Sequence, residues 1–199
     1  MKNVIKGLGI LAAVLAFNTS AMADDIYLGQ AGYGGNGCPA GSASVTLSPD
    51  AKSLTLIFDQ YMAEAGRQRT IDRKSCNIAI PVHVPQGMSV SIIKVDYRGY
   101  VTAPRGASAK FSTEYFFAGA RGPTFVKDFV GPFDSNYTLN STLGLDAIVW
   151  SACGADVNLR VNTSMMAKTN RMMDDVLATV DSADFKAGLV YHMQWRRCN

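Results

Sequence analysis

From residue 45 onward, apolar side chains recur at every second position. Val45 and Leu47 flank Thr46. Leu54, Leu56 and Phe58 alternate with Thr55, Ile57 and Asp59, and Ile78, Ile80, Val82 and Val84 alternate with Ala79, Pro81, His83 and Pro85. Ile93, Val95, Tyr97 and Val101 share one parity, while Lys94, Asp96, Arg98 and Tyr100 share the other. The same alternation runs through Lys110–Phe117, Val157–Asn162 and Leu189–Arg196. A period of two puts neighbouring side chains on opposite faces of an extended chain, so each run predicts a strand with one buried face. Turn chemistry separates the runs at Ser48-Pro49-Asp50, Pro85-Gln86-Gly87, Pro104-Arg105-Gly106, Arg121-Gly122-Pro123, Gly131-Pro132 and Asp181–Asp184. Long amphipathic helices do not alternate with the strands. The pattern therefore predicts an all-β, single-domain antiparallel β-sandwich of jelly-roll or immunoglobulin-like type. Residues 59–74 and 165–175 are expected as loops or short helical turns. The second stretch holds Met165, Met166, Met172 and Met173, expected to cover a core edge.

The first 23 residues follow another logic. Lys2 and Lys6 precede an apolar run from Gly7 to Phe17, and Ala21-Met22-Ala23 supplies a small-x-small cleavage pattern. This order predicts a cleaved signal peptide over 1–23 and a secreted or periplasmic destination. Removing Lys2 and Lys6 takes the formal charge from +3 to +1. So small a charge excludes the basic face that nucleic-acid binding needs. No later segment is long and apolar enough for a transmembrane anchor. Apolar residues make up 48% of the chain, enough to fill a core and to exclude global disorder.

Four cysteines follow the leader: Cys38, Cys76, Cys153 and Cys198. An even number in an exported chain predicts two disulfides. Three connectivities are possible. Pairing of chain neighbours, Cys38–Cys76 and Cys153–Cys198, is the simplest, and the shared W-x-x-C spacing at Trp150 and Trp195 leans the same way. No C-x-x-C or cysteine–histidine spacing fits a zinc site, so no metal or other cofactor is expected. Residues 24–36 are rich in glycine and are expected to form a flexible arm ahead of a domain at 37–199. Gly32-Tyr33-Gly34-Gly35-Asn36-Gly37 matches G-x-G-x-x-G, but the required strand before it and helix after it are missing from the pattern.

Candidate chemistry is sparse. His83 and His192 are the only histidines, and no metalloprotease, serine-hydrolase or papain-like signature accompanies them. After the leader the only glutamates are Glu64 and Glu114, while many aspartates stand at turns, where they bond their own backbone. The best surface constellation is Lys94, Asp96, Arg98 and Tyr100, four residues on one strand face, which Glu114 would join from an adjoining strand. Such a face offers donors, acceptors and an aromatic plate to a polar ligand such as a glycan; a solvated sheet face is the plainer reading. Arg67, Arg69, Arg73 and Lys74 form the one basic cluster, interrupted by Asp72. Asn136, Asn140 and Asn162 head formal N-glycosylation sequons.

Ordered motifs also connect the chain to a known group. They are Gly37-Cys38-Pro39-Ala40-Gly41-Ser42, SVTLSPD at 44–50, LTLIFDQY at 54–61 and Arg73-Lys74-Ser75-Cys76 before IPVHVPQG. VDYRGY at 95–100, VWSACG at 149–154 and YHMQWRRC at 191–198 continue the series. The set resembles the secreted family known as domain of unknown function 4360. The resemblance implies a secreted, disulfide-containing β-rich domain with structural roles for the four cysteines, and carries over no catalytic residues. The expectation is a non-enzymatic binding or surface-interaction module whose partner is a glycan or cell-surface component. The alternatives are a secreted hydrolase using carboxylate or histidine chemistry, or a secreted toxin or effector.

Overall fold

The computed structural model describes residues 27–47, 53–119, 121–142, 150–180 and 189–198. The expected signal peptide at 1–23 lies outside them. Within them the chain forms thirteen strands and no helix. In chain order these are β1 (Tyr27–Leu28), β2 (Gly32–Gly34), β3 (Ala43–Leu47), β4 (Ser53–Phe58), β5 (Met62–Ala65), β6 (Ile71–His83) and β7 (Met88–Ala103). There follow β8 (Ser108–Phe117), β9 (Thr124–Val130), β10 (Phe133–Thr142), β11 (Val157–Lys168), β12 (Val176–Thr179) and β13 (Leu189–Arg197).

All pairs are antiparallel. One sheet runs β1-β6-β11-β8-β9, with β2 also on β6. The other runs β3-β4-β13-β7-β12-β5, with β10 on the opposite side of β7. The expected all-β sandwich is thus the fold. Its core is the set of inward rows predicted by alternation. Ile78, Ile80 and Val82 of β6 face the interior with Leu159 and Val161 of β11, Leu56 and Phe58 of β4, and Tyr97 of β7; each is at most 1% exposed. Tyr97 packs on Phe111 with ring centroids 4.7 Å apart, a tilted contact that adds to area burial. Tyr61 reaches across between the sheets, its hydroxyl 2.9 Å from Thr163 Oγ1 on β11.

The disulfides join Cys38 to Cys76 and Cys153 to Cys198, the neighbour pairing. The first is wholly buried, and each cross-links a loop of about forty residues, a constraint of roughly 4 kcal/mol in the chain-entropy account. Near the second, Arg196 lies over the Trp150 ring, 4.1 Å from its centroid.

Three expectations need correction. The described part of the 24–36 arm is not a flexible tail: β1 and β2 both pair with β6, and the Tyr33 hydroxyl donates to Ala43 O at 2.7 Å. Just after β2 the segment closes on β6 at Gly35, where a Cβ would strike Ser75 O. The 59–74 stretch contains β5 and the start of β6, and 165–175 begins as the end of β11. Met165 is a fully buried inward residue of β11, whereas Met172 is 81% exposed in the turn that follows.

Candidate functional site

The predicted surface row lies on β7. Val95, Tyr97 and Val101 point inward, so Asp96, Arg98 and Tyr100 occupy outward register positions; the Lys94 backbone pairs with Thr142 of β10. Strand β10 lies alongside them, placing Asn140 opposite Asp96, Thr138 opposite Arg98, Asn136 opposite Tyr100 and Asp134 opposite Thr102. Asn140 Nδ2 donates to Asp96 Oδ1 at 2.5 Å, and the Tyr100 hydroxyl donates to Asp134. The Asp134 hydrogen bond raises the Tyr100 pKa above its ordinary value of 10.0, with burial and the aspartate charge adding to the effect. Two polar rows are therefore held in register by a continuous ladder.

On the other flank of β7 the sheet forks. Pairing with β13 ends at Asp96, and pairing with β12 begins at Val101. Thr179 bridges part of the interval, accepting from Tyr100 N at 3.0 Å and donating to Tyr100 O at 3.3 Å. Gly99 makes this approach possible: a Cβ there would collide with Thr179 O and the Tyr137 ring. The Tyr137 hydroxyl instead reaches Thr179 O at 2.7 Å.

Glu114 does not join this face. It lies on β8, paired with Asn162 of β11 and Thr124 of β9, in the other sheet. Its parity matches Ser112 and Phe116, away from the buried row of Phe111, Thr113 and Tyr115, so the whole sandwich stands between it and Asp96. The two histidines are also separated. His83 belongs to β6 in one sheet, and His192 to β13 in the other. His83 faces outward, its Nδ1 2.7 Å from Asp156 Oδ1 and its ring stacked on Tyr27 at 4.6 Å.

A cleft of about 830 Å³ lies beyond the far end of the predicted row. Thr102, Leu177, Glu64 and Met62 line it from β7, β12 and β5, all from outward positions. Asp72 and Lys74 enter from β6, with Arg67 and Arg69 on the turn between β5 and β6 and Asp175 before β12. Asp72 organises this end. Its side chain is only 11% exposed, with Arg69 Nη1 2.9 Å from Oδ1 and Lys74 Nζ 3.8 Å from Oδ2. Glu64 N donates to the same carboxylate at 3.1 Å. Arg67 and Asp175 face each other loosely at 3.9 Å, both highly exposed. The turn closes against Asp175 because position 66 is glycine; a Cβ there would strike the aspartate.

The lining carries Arg67, Arg69 and Lys74 against Glu64, Asp72 and Asp175, three charges of each sign, with the amides of Gln60 and Gln68 among them. Donors and acceptors interleave, which suits a ligand whose every polar group both donates and accepts. Among the described residues no group of three metal-ligating side chains converges, and no helix is long and apolar enough to cross a membrane.

Sequence reasoning found the basic cluster but not the cleft. The available signal was parity: Asp72 and Lys74 continue the inward row of Cys76, Ile78, Ile80 and Val82. Charged residues in a core-facing register mark a place where the core has ended.

Fold and site together define a disulfide-braced antiparallel β-sandwich with a polar cleft at one sheet edge. The model of the family described as Domain of unknown function (DUF4360) matches residues 24–198, and the chain belongs to that family. An "Uncharacterized secreted protein" of Arthroderma benhamiae is 35% identical over 179 residues, covering 88% of this chain and 73% of that protein. Among solved structures, TmCBM61 in complex with β-1,4-galactotriose aligns over 84% of this chain and 88% of its own. Identity there is 9% and the TM-score 0.31, a likeness that carries no functional argument.

Proposed function

We propose that the protein is an exported, non-enzymatic binding module that holds a neutral, polyhydroxylated polymer, a glycan of a cell surface or matrix, in the cleft around Asp72. The carrying observation is the interleaved, charge-balanced lining. A sugar hydroxyl donates and accepts at once, and so meets Glu64 and Asp175 as readily as Arg67 and Arg69. A strongly anionic polymer would meet the carboxylates, and a polycation the guanidinium groups. The volume lies within the roughly 300–1,000 Å³ usual for ligand clefts. Export is supported by the leader pattern at 1–23, by two disulfides of the kind kept in oxidising compartments, and by the secreted relative.

The test is an array of neutral, acidic and basic polysaccharides, read for retention and for released reducing ends. Retention on neutral glycans, reduced about tenfold by Asp72→Asn through loss of a charged acceptor, is expected. Retention only on acidic or basic polymers would overturn the reading. Release of reducing ends would establish hydrolysis in its place, with Glu64, Asp72 and Asp175 as the carboxylates to vary.

A further inference from the structure

We infer that the ligand continues out of the cleft along the outward face of β7, so that the protein recognises an internal stretch of an extended polysaccharide rather than a chain end. This rests on the glycan-binding reading of the cleft and extends it to a surface outside the cleft.

Thr102 is the link. It lines the cleft and occupies the same outward row as Tyr100, Arg98 and Asp96. Asp134, which stands opposite Thr102 on β10, accepts from the Tyr100 hydroxyl, so polar groups continue from the cleft onto the open face. Beside it, β10 presents Asp134, Asn136, Thr138 and Asn140, all exposed. A site that reads chain ends needs a wall across the last subsite. Here the position that such a wall would occupy is Thr102, which belongs to the cleft lining and to the open row alike.

The face also has the rigidity that a binding track needs. Pairing between β7 and β10 is continuous from Lys94 to Ala103. Thr179 fixes the backbone of Tyr100 from the other side. The fork in the sheet leaves a step in the ladder on the β13 and β12 side between Asp96 and Val101, alongside Arg98. From Thr102 to Asp96 the track runs about 20 Å at the usual rise of a strand. Its chemistry repeats that of the cleft: Asp96 and Asp134 accept, Arg98 donates, and Asn136, Thr138 and Asn140 do both. A neutral polymer would therefore find one continuous set of partners.

The experiment is calorimetric titration of the full exported chain with β-1,3-gluco-, β-1,4-gluco- and β-1,4-N-acetylglucosamine oligomers, from the disaccharide to the octasaccharide. Affinity should climb with length until the oligomer covers the additional track of about 20 Å. Arg98→Ala and Asn136→Ala should each weaken the longest oligomers, by up to about tenfold for a lost hydrogen bond, and leave the disaccharide unchanged. Asp72→Asn should weaken every length. Affinity independent of length, or β7 and β10 variants that weaken short and long oligomers equally, would overturn the extended track while leaving the cleft reading standing. No binding at any length, with all three series, would overturn both.

Discussion

Strand β6 carries two surfaces along one inward row. From Cys76 to Val82 the row is apolar and essentially sealed, with each residue at most 1% exposed. One step nearer the start of the strand the same parity yields Lys74 and then Asp72. Their cross-strand neighbours do not change character: Met165 stands opposite Lys74 and Ala167 opposite Asp72, both fully buried. What changes is the layer across the sandwich. The seven-stranded sheet ends there in the short edge strand β5, so Asp72 meets a strand edge instead of a packed face. Its carboxylate accepts from Glu64 N, an edge amide that would otherwise invite another strand. The comparison teaches that a strand's period outlasts the core it serves, and that the residue chosen where the core stops reveals what the exposed end is for.

The sharpest way to break this comparison is to exchange the consequences of its two halves. Ile78→Ala removes a buried branched side chain from the sealed row and should cost about 2–5 kcal/mol, measured by denaturant unfolding. Folded Ile78→Ala protein should bind neutral glycan as wild type does. Asp72→Asn should show the opposite profile. It removes the shared countercharge of Arg69 and Lys74 and weakens the bond to Glu64 N, at a stability cost of only about 1 kcal/mol because its partners remain partly hydrated. Equal stability losses in the two variants, or lost binding in Ile78→Ala under native conditions, would erase the distinction.

The legibility of the molecule follows the same line. Strands with bulky alternating rows, such as Ile78–Val84 and Phe111–Phe117, were readable because their faces differ strongly in polarity. β5 was not, since Met62-Ala63-Glu64-Ala65 has only small buried residues and spans four positions. β10 carried a usable alternation in Phe133, Tyr137 and Leu139, but its polar row of Asp134, Asn136, Thr138 and Asn140 resembles turn chemistry. The row Lys94, Asp96, Arg98 and Tyr100 was readable as one strand face because it needs only local parity. The cleft was not, because Glu64, Asp72, Thr102 and Asp175 come from separate segments that only sheet pairing brings together. Glu114 shows the same limit from the other side: parity gives a face of a strand, never which sheet the strand joins.

The smallest expected effect concerns two phenols inside the sandwich. Tyr61 and Tyr97 are both fully buried, yet their hydroxyls differ. That of Tyr61 is bonded to Thr163, while that of Tyr97 has no hydrogen-bond partner among the described residues. Tyr61→Phe should therefore cost about 1 kcal/mol, and Tyr97→Phe should be neutral or slightly stabilising, because it removes a desolvated donor that gained nothing in return. The pH dependence separates them further. Burial raises the Tyr61 phenol well above its ordinary value of 10.0. Its contribution is complete below the unfolded pKa; above about pH 10 the unfolded phenol releases its proton while the folded one keeps it, so stability falls as pH rises. Tyr61→Phe should remove that part of the alkaline loss. An equal cost for both phenylalanine variants near neutral pH would show that ring packing, rather than the hydroxyl's partner, sets the energetics of this part of the core.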